Sequence, residues 1–242
     1  MAGTSGKELD RRERSDLVST WNVVKRLPDP ESQTKKKNGE LLPDSIRCLI
    51  VGPSGCGKTT LLVDNFLLAP NWLDWKNRHL YVFSKSLEQS KYQQLMKLYD
   101  GLDIATFASE IKPLDDCREN SVVVFDDAIL ENQNEIRNFF TQGRHKGMDC
   151  FYLAQTFSKI PKQLVRDNAN FICLFRQDHT NLKHAYDDYV GGDMNYNQFS
   201  ERCCSTCWNG DDFGFVTIDM TRKPNDGKYR NKINNFLNVA TL

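Results

Sequence analysis

The sequence predicts an α/β fold in three layers, a central, mainly parallel β-sheet held between helices. Three observations lead there. Short apolar runs, IRCLIV, HLYVFS, SVVVFD, CFYLAQ and NFICLF, recur between residues 46 and 175, and near-continuous apolar character in runs this short suits strands buried on both faces. Helical patterns fall between them near residues 58–68, 87–99, 132–142 and 161–167, and strand–helix alternation favours parallel pairing. Finally, 242 residues with 39% hydrophobic and 26% charged side chains suffice to bury one good core and are too apolar for wholesale disorder.

Taken from the N-terminus, residues 1–43 read as an arm and linker. Leu9 to Val24 mixes charges with scattered Leu, Val and Trp21, which suits a short helix docking on a neighbouring subunit and equally a frayed tail. The stretch LPDPESQTKKKNGELLPD then breaks the chain with prolines, a lysine run and a glycine before the first strand. Residues 44–220 form the main domain, which closes with a further strand in FGFVTIDM, and residues 221–242 read as a polar basic tail. No apolar run approaches the roughly 18 residues of a membrane span, and MAGTSGKELDRRERS lacks the apolar core of a signal peptide. The expectation is an intracellular protein. Lys+Arg and Asp+Glu balance at 32 each, so any nucleic-acid contact has to come from local basic surfaces.

Eight cysteines without a secretion signal read as reduced thiols, with Cys48, Cys150 and Cys173 inside apolar runs as small buried hydrophobes. Cys203, Cys204 and Cys207 stand apart, because Cys204-x-x-Cys207 has zinc-ligand spacing and His179 and His184 lie upstream. A lone C-x-x-C is more often packing, so a structural zinc and a packed cysteine cluster both stay open.

The run Gly52, Pro53, Ser54, Gly55, Cys56, Gly57, Lys58, Thr59 satisfies G-x-x-x-x-G-K-[ST] and lies after an apolar strand and before a helix. The glycines let the backbone turn tightly and aim its N–H groups at a β-phosphate, and the following helix adds the positive end of its dipole. Lys58 then reaches the β- and γ-phosphates, the Thr59 hydroxyl is the expected magnesium ligand, and Thr60 opens the helix beside it. The pattern predicts ATP or GTP with Mg²⁺ at the site of a P-loop NTPase.

SVVVFDDAI delivers Asp126 and Asp127 at the carboxyl end of a strand, where open α/β sheets place their ligands. Asp126 is expected to hold the magnesium through water, and Asp127 to polarise the attacking water as general base, a role that separates hydrolases from P-loop kinases. CFYLAQ ends in Gln155, whose amide can bond both a γ-phosphate oxygen and the lytic water. A strand of this kind between the phosphate-loop strand and the acidic strand marks the additional-strand, catalytic-acid type of P-loop fold.

The order of GPSGCGKT, VVVFDD, FFTQGRHKGMDCFYLAQT and KIPKQLVRDNANFICLF resembles the packaging ATPases of large eukaryotic DNA viruses, poxvirus type, and of Maverick/Polinton elements or adintoviruses, within the FtsK/HerA superfamily. The resemblance spans residues 46–199. It implies a ring motor that drives double-stranded DNA into a preformed viral capsid, working at the site of virion assembly in the host nucleus or cytoplasm, with capsid or portal-like vertex proteins and further copies of itself as partners. It also implies an arginine finger acting across a subunit boundary, for which Arg144 in QGRHKG is the first candidate, read as a cation near the nucleotide edge, with Arg166 and Arg176 behind it. The candidate DNA grips are GRHKG, which holds His145 and Lys146, and TRKPNDGKYRNK, which holds Tyr229. One departure stands out: Asp127 occupies a place where many members of the superfamily carry Glu, one methylene longer.

Two other functions fit parts of the pattern. A small P-loop kinase needs an Arg-rich lid and no acid at position 127, which the tandem acids oppose. A nucleotide-gated protein that assembles on DNA or capsid without translocating shares every site residue.

Overall fold

Residues 37–68, 78–128 and 131–241 are described by a computed structural model. The arm read over residues 1–43 lies outside the described residues as far as 36.

Nine strands form one sheet: β1 (Arg47–Val51), β2 (Leu80–Ser84), β3 (Ala105–Ala108), β4 (Val122–Asp126), β5 (Asp149–Ala154), β6 (Phe171–Phe175), β7 (Phe215–Asp219), β8 (Tyr229–Asn231) and β9 (Asn235–Phe236). Their order is β3-β2-β4-β5-β1-β6-β7-β8-β9. Pairing is parallel from β3 through β6 and antiparallel from β6 onward. The helices are α1 (Lys58–Thr60), which continues through Leu61–Leu67 with a wider i→i+5 turn, α2 (Ser90–Leu98), α3 (Gln133–Gln142), α4 (His179–Tyr189) and α5 (Ser205–Trp208), the last preceded by a second i→i+5 segment, Gln198–Cys204.

Alternation along the strands divides the interior into two cores. Leu49, Val51, Val123, Phe125, Tyr152 and Ile172 face one side with Ile136, Phe139 and Phe140 of α3 and Leu182 and Ala185 of α4. Cys48, Ile50, Val122, Val124, Phe151 and Cys173 face the other with Leu62, Val63 and Phe66 after α1 and Tyr92 and Leu95 of α2. Because a strand's side chains alternate faces, central strands read as unbroken apolar runs when both faces are covered. Each fully buried Val, Leu or Phe contributes about 1.5–3 kcal/mol, which is why the five central strands carry almost nothing else.

The expected sandwich is therefore present, with three corrections. Residues 161–167 do not form a helix: Leu164 has a left-handed backbone, φ 73°, which a right-handed helix cannot pass through, and only a short 3₁₀ turn, Arg166–Asn168, follows. The helices α4 and α5 escaped the sequence reading, as did β3, all four of whose residues are only half-buried. Residues 221–242, read as a tail, contain β8 and β9, with Tyr229 and Arg230 fully buried.

Two registers place the site. Val51 pairs with Ala154 and Asp126 with Leu153, so Gly52, Gln155 and Asp127 follow one another in a row across the carboxyl ends of β1, β5 and β4. The strand expected between the phosphate-loop strand and the acidic strand is β5.

Candidate active site

The phosphate loop begins where β1 ends, with Gly52 N–H donating to Ala154 O at 3.1 Å. A Cβ on Gly52 would lie 2.6 Å from both Cys56 Sγ and Phe175 Cβ, so only glycine fits between the loop and β6. Gly57 has φ +98° and opens α1, and Leu61 N–H closes onto Gly57 O at 2.8 Å. Lys58 is buried and folds back into the loop, donating from Nζ to Gly52 O at 2.7 Å and Pro53 O at 2.9 Å. Its ammonium thus stands inside a ring of backbone, the position from which it can exchange carbonyl oxygens for phosphate oxygens. Pro53, Ser54, Gly55 and Thr60 are exposed on this cradle, while Cys56 is half-buried.

Asp126 ends β4 and is buried. Tyr92 of α2 reaches it, the hydroxyl donating to Oδ2 at 2.6 Å, and the same hydroxyl engages the Thr59 side chain. Thr59 Oγ1 in turn donates to Gln89 Oε1 at 3.2 Å. Burial pushes the Asp126 carboxyl up to about 6, against the pull of the Tyr92 hydrogen bond and aided by the negative charge of Asp127. A buried carboxylate short of positive charge beside a hydroxyl is an all-oxygen donor pair of the kind a hard divalent cation takes, so Thr59 and Asp126 fit the magnesium expected of them.

Asp127 departs from the strand with φ 52°, a left-handed backbone that Asp tolerates better than most residues. The turn aims its carboxylate along the sheet edge. Gln155 Nε2 donates to Oδ1 at 3.4 Å and Ser86 Oγ to Oδ2 at 3.3 Å. Lys58, Thr59, Asp126, Asp127 and Gln155, which the sequence spreads over 98 positions (58 to 155), share one edge.

The expected cations divide. Arg144 lies in the 3₁₀ turn Gly143–Lys146, just before the amino end of β5; burial first, and then the charge of Arg144, lower the guanidinium pKa of Arg47 at the amino end of β1. That is the opposite end of the sheet from Gly52, not the nucleotide edge, because parallel strands run from Arg47 and Asp149 toward the site. Lys146 pairs with Asp115 at 2.7 Å, and Arg144 Nε meets His145 Nε2 at 3.4 Å. Arg166 is buried against Asp188 at 2.7 Å and over the Phe157 ring, a structural role. Arg176, by contrast, is exposed and lines a cleft of about 280 Å³ with Pro53, Ser54, Gln155 and Asn181. Of the basic run after β7, Arg230 and Lys228 are buried and paired with Asp219 and Asp193.

The cysteine cluster is packed. Cys203, Cys204 and Cys207 are all buried, burial pushes the Cys204 and Cys207 thiols up, and Cys207 Sγ faces Arg230 O at 3.9 Å. His179 bonds Tyr196 through Nδ1 at 3.0 Å, and His184 is exposed. Among the described residues no group of three or more His, Cys, Asp or Glu gathers as a metal site.

Tyr92, Gln89 and Ser86 were not singled out by the sequence. Their signal was a polar stretch, SKSLEQSKY, directly after an apolar strand, and it acquires meaning only once β2 is known to lie beside β4.

No family model matches the chain, and no curated protein matches it. Among solved structures the chain is similar to the genome packaging NTPase B204 of Sulfolobus turreted icosahedral virus 2. The AMP complex of that protein is 14% identical with a TM-score of 0.52, covering 73% of this chain and 94% of that one. Its sulfate complex is 11% identical with a TM-score of 0.53, covering 73% and 92%. The DNA-packaging ATPase B204 of Sulfolobus turreted icosahedral virus is 15% identical with a TM-score of 0.50, covering 74% and 94%. Likeness at this identity establishes the fold, that of a P-loop NTPase.

Proposed function

We propose that this chain is an ATP-hydrolysing motor that translocates double-stranded DNA into a viral capsid, working as a homo-oligomeric ring with hydrolysis at its subunit boundaries. The observation that carries the chemistry is the convergence of Lys58, Thr59, Asp126, Asp127 and Gln155 on one sheet edge. The fold shared with proteins described as genome-packaging ATPases supports the choice of DNA as the load, as do the quoted motifs that resemble FtsK/HerA packaging ATPases.

In this reading Lys58 exchanges Gly52 O and Pro53 O for β- and γ-phosphate oxygens, and the backbone of residues 52–59 holds the β-phosphate. Thr59 and Asp126 would hold a magnesium ion, which would neutralise charge on the phosphates. Asp127 accepts the proton of the attacking water, and Gln155 orients that water and senses the γ-phosphate. Loss of that phosphate frees Gln155, at the head of the loop that runs from β5 to β6, and a loop released in this way is the kind of two-state element a motor requires. Arg144 is the proposed finger. It stands roughly 17 Å from its own phosphate loop, five residues of strand, so it can serve only a neighbour's site. Residues 44–220 are proposed as the ATPase domain, with strands β8 and β9 completing its sheet.

The test is ATP-dependent displacement of a third strand from triplex DNA. Displacement by the unaltered protein and none by Lys58→Ala supports the motor. ATP turnover without displacement makes the chain a nucleotide-gated assembly protein instead.

A further inference from the structure

Phe213 has no part in the chemistry above, yet it stands against the phosphate loop. It lies between α5 and β7 on a turn fixed from several sides. Its N–H donates to Asp211 Oδ1 at 2.9 Å, Gly214 N–H donates to Asp211 O at 3.0 Å, and Asp211 pairs with Lys232 at 2.7 Å. A Cβ on Gly214 would lie 2.0 Å from Cys207 O, so the turn is pressed onto the end of α5 with no room for a side chain. Despite that mounting, Phe213 is 60% exposed, more than any other large hydrophobic among the described residues. One edge of it meets the loop: a Cβ on Gly57, the residue before Lys58, would lie 3.1 Å from Cδ1. The other strongly exposed phenylalanine, Phe236, sits under the guanidiniums of Arg222 and Arg230.

Sheet order gives the position a direction. Asp126, Asp127 and Gln155 gather on the β5 and β4 side of β1, which is where the terminal phosphate has to be. Phe213 approaches from the other side, where β6 and β7 lie. A nucleoside triphosphate whose γ-phosphate points toward Asp127 sends its ribose and base away from β4, and the base hangs one ribose beyond the phosphates. An exposed aromatic ring bordering the loop on that side offers its surface to a planar base.

We infer that Phe213 is the nucleobase platform of the site, the surface on which the purine of the bound nucleotide stacks. The inference rests on the reading of the loop as a nucleotide site. Stacking uses the π-face that every base has, so the platform adds affinity without choosing adenine over guanine.

The experiment compares binding of ATP, GTP and inorganic tripolyphosphate, each with Mg²⁺, to unaltered protein, Phe213→Ala, Phe213→Trp and Lys58→Ala. Phe213→Ala is expected to lose affinity for ATP and GTP alike by about tenfold or more, with tripolyphosphate binding unchanged. Phe213→Trp keeps ATP affinity, and ATP quenches its indole fluorescence. Equal ATP affinity in Phe213→Ala and the unaltered protein overturns the platform, and so does an equal loss of tripolyphosphate binding, which would make Phe213 a mere support for the loop. Failure of the unaltered protein to bind ATP or tripolyphosphate more tightly than Lys58→Ala does removes the nucleotide site itself, and the platform with it.

Discussion

The hydroxyl of Tyr92 donates to Asp126 Oδ2 at 2.6 Å, and through it α2 is tied to the carboxyl end of β4. Tyr92 is fully buried, and its hydroxyl also engages Thr59. One side chain from a helix far along the chain thus holds together the two residues proposed to carry the metal.

Tyr92→Phe removes that donor and leaves the ring packing intact. A hydrogen bond to a charged group contributes about 1.5–3 kcal/mol, so urea unfolding in EDTA at pH 8 should show a loss of that size. No loss would mean that Asp126 is held by other contacts.

Asp126 itself lowers the stability of the metal-free protein. Its carboxyl is pushed up to about 6 by burial, so the folded chain binds its proton more tightly than the unfolded chain does. Stability is then greatest with Asp126 protonated and declines as pH rises from about 4 to about 6, the full cost above that being about 3 kcal/mol. Asp126→Asn keeps an acceptor for Tyr92 and removes the charge. Its melting temperature in EDTA should exceed that of the unaltered protein at pH 8 and match it near pH 4, while hydrolysis is lost. Equal melting temperatures at pH 8 would show that the carboxylate is well compensated.

Arg230 tests the assignment of the C-terminal basic run to the core. It is fully buried beside Asp219, with further bonds to Gly227 O at 2.7 Å and Leu41 O at 2.6 Å. Arg230→Met leaves the buried Asp219 carboxylate with Arg222 Nε at 3.3 Å and Thr221 as its remaining partners, so the loss is expected at or below the low end of the about 3–5 kcal/mol that breaking a buried pair costs. Chemical denaturation should show that loss. A neutral outcome would return this run to the surface, and with it to the candidate DNA grips.

Strands such as VVVFD and FICLF were legible in the sequence because burial on both faces leaves an unbroken apolar run. The phosphate loop was legible because its glycines are needed by the backbone, as the 2.6 Å approach of Phe175 to a Cβ on Gly52 illustrates. The helix α4 was obscured by HTNLKHAYDDY, most of whose surface is polar and whose buried face is narrow. Strand β8 was obscured by its own charges, since Arg230 is a core residue only in the presence of Asp219. Tyr92, Ser86 and Phe213 gain their places from strand order, which no local pattern carries, and for the same reason Arg144 was read as lying near the nucleotide edge when it stands before the amino end of β5.

Under the proposed function, Asp127 beside Gln155 activates the water that hydrolyses ATP, and that hydrolysis drives DNA movement. Asp127→Asn preserves the left-handed backbone at φ 52°, which Asn also tolerates, so its effect reports on chemistry. The decisive measurement is steady-state ATP turnover with and without double-stranded DNA, alongside ATP affinity, for the unaltered protein and Asp127→Asn. The expected result is DNA-stimulated turnover that falls about 10²–10⁴-fold in Asp127→Asn with ATP affinity kept. Turnover indifferent to DNA, or an Asp127→Asn variant that hydrolyses ATP as fast as the unaltered protein, would contradict it.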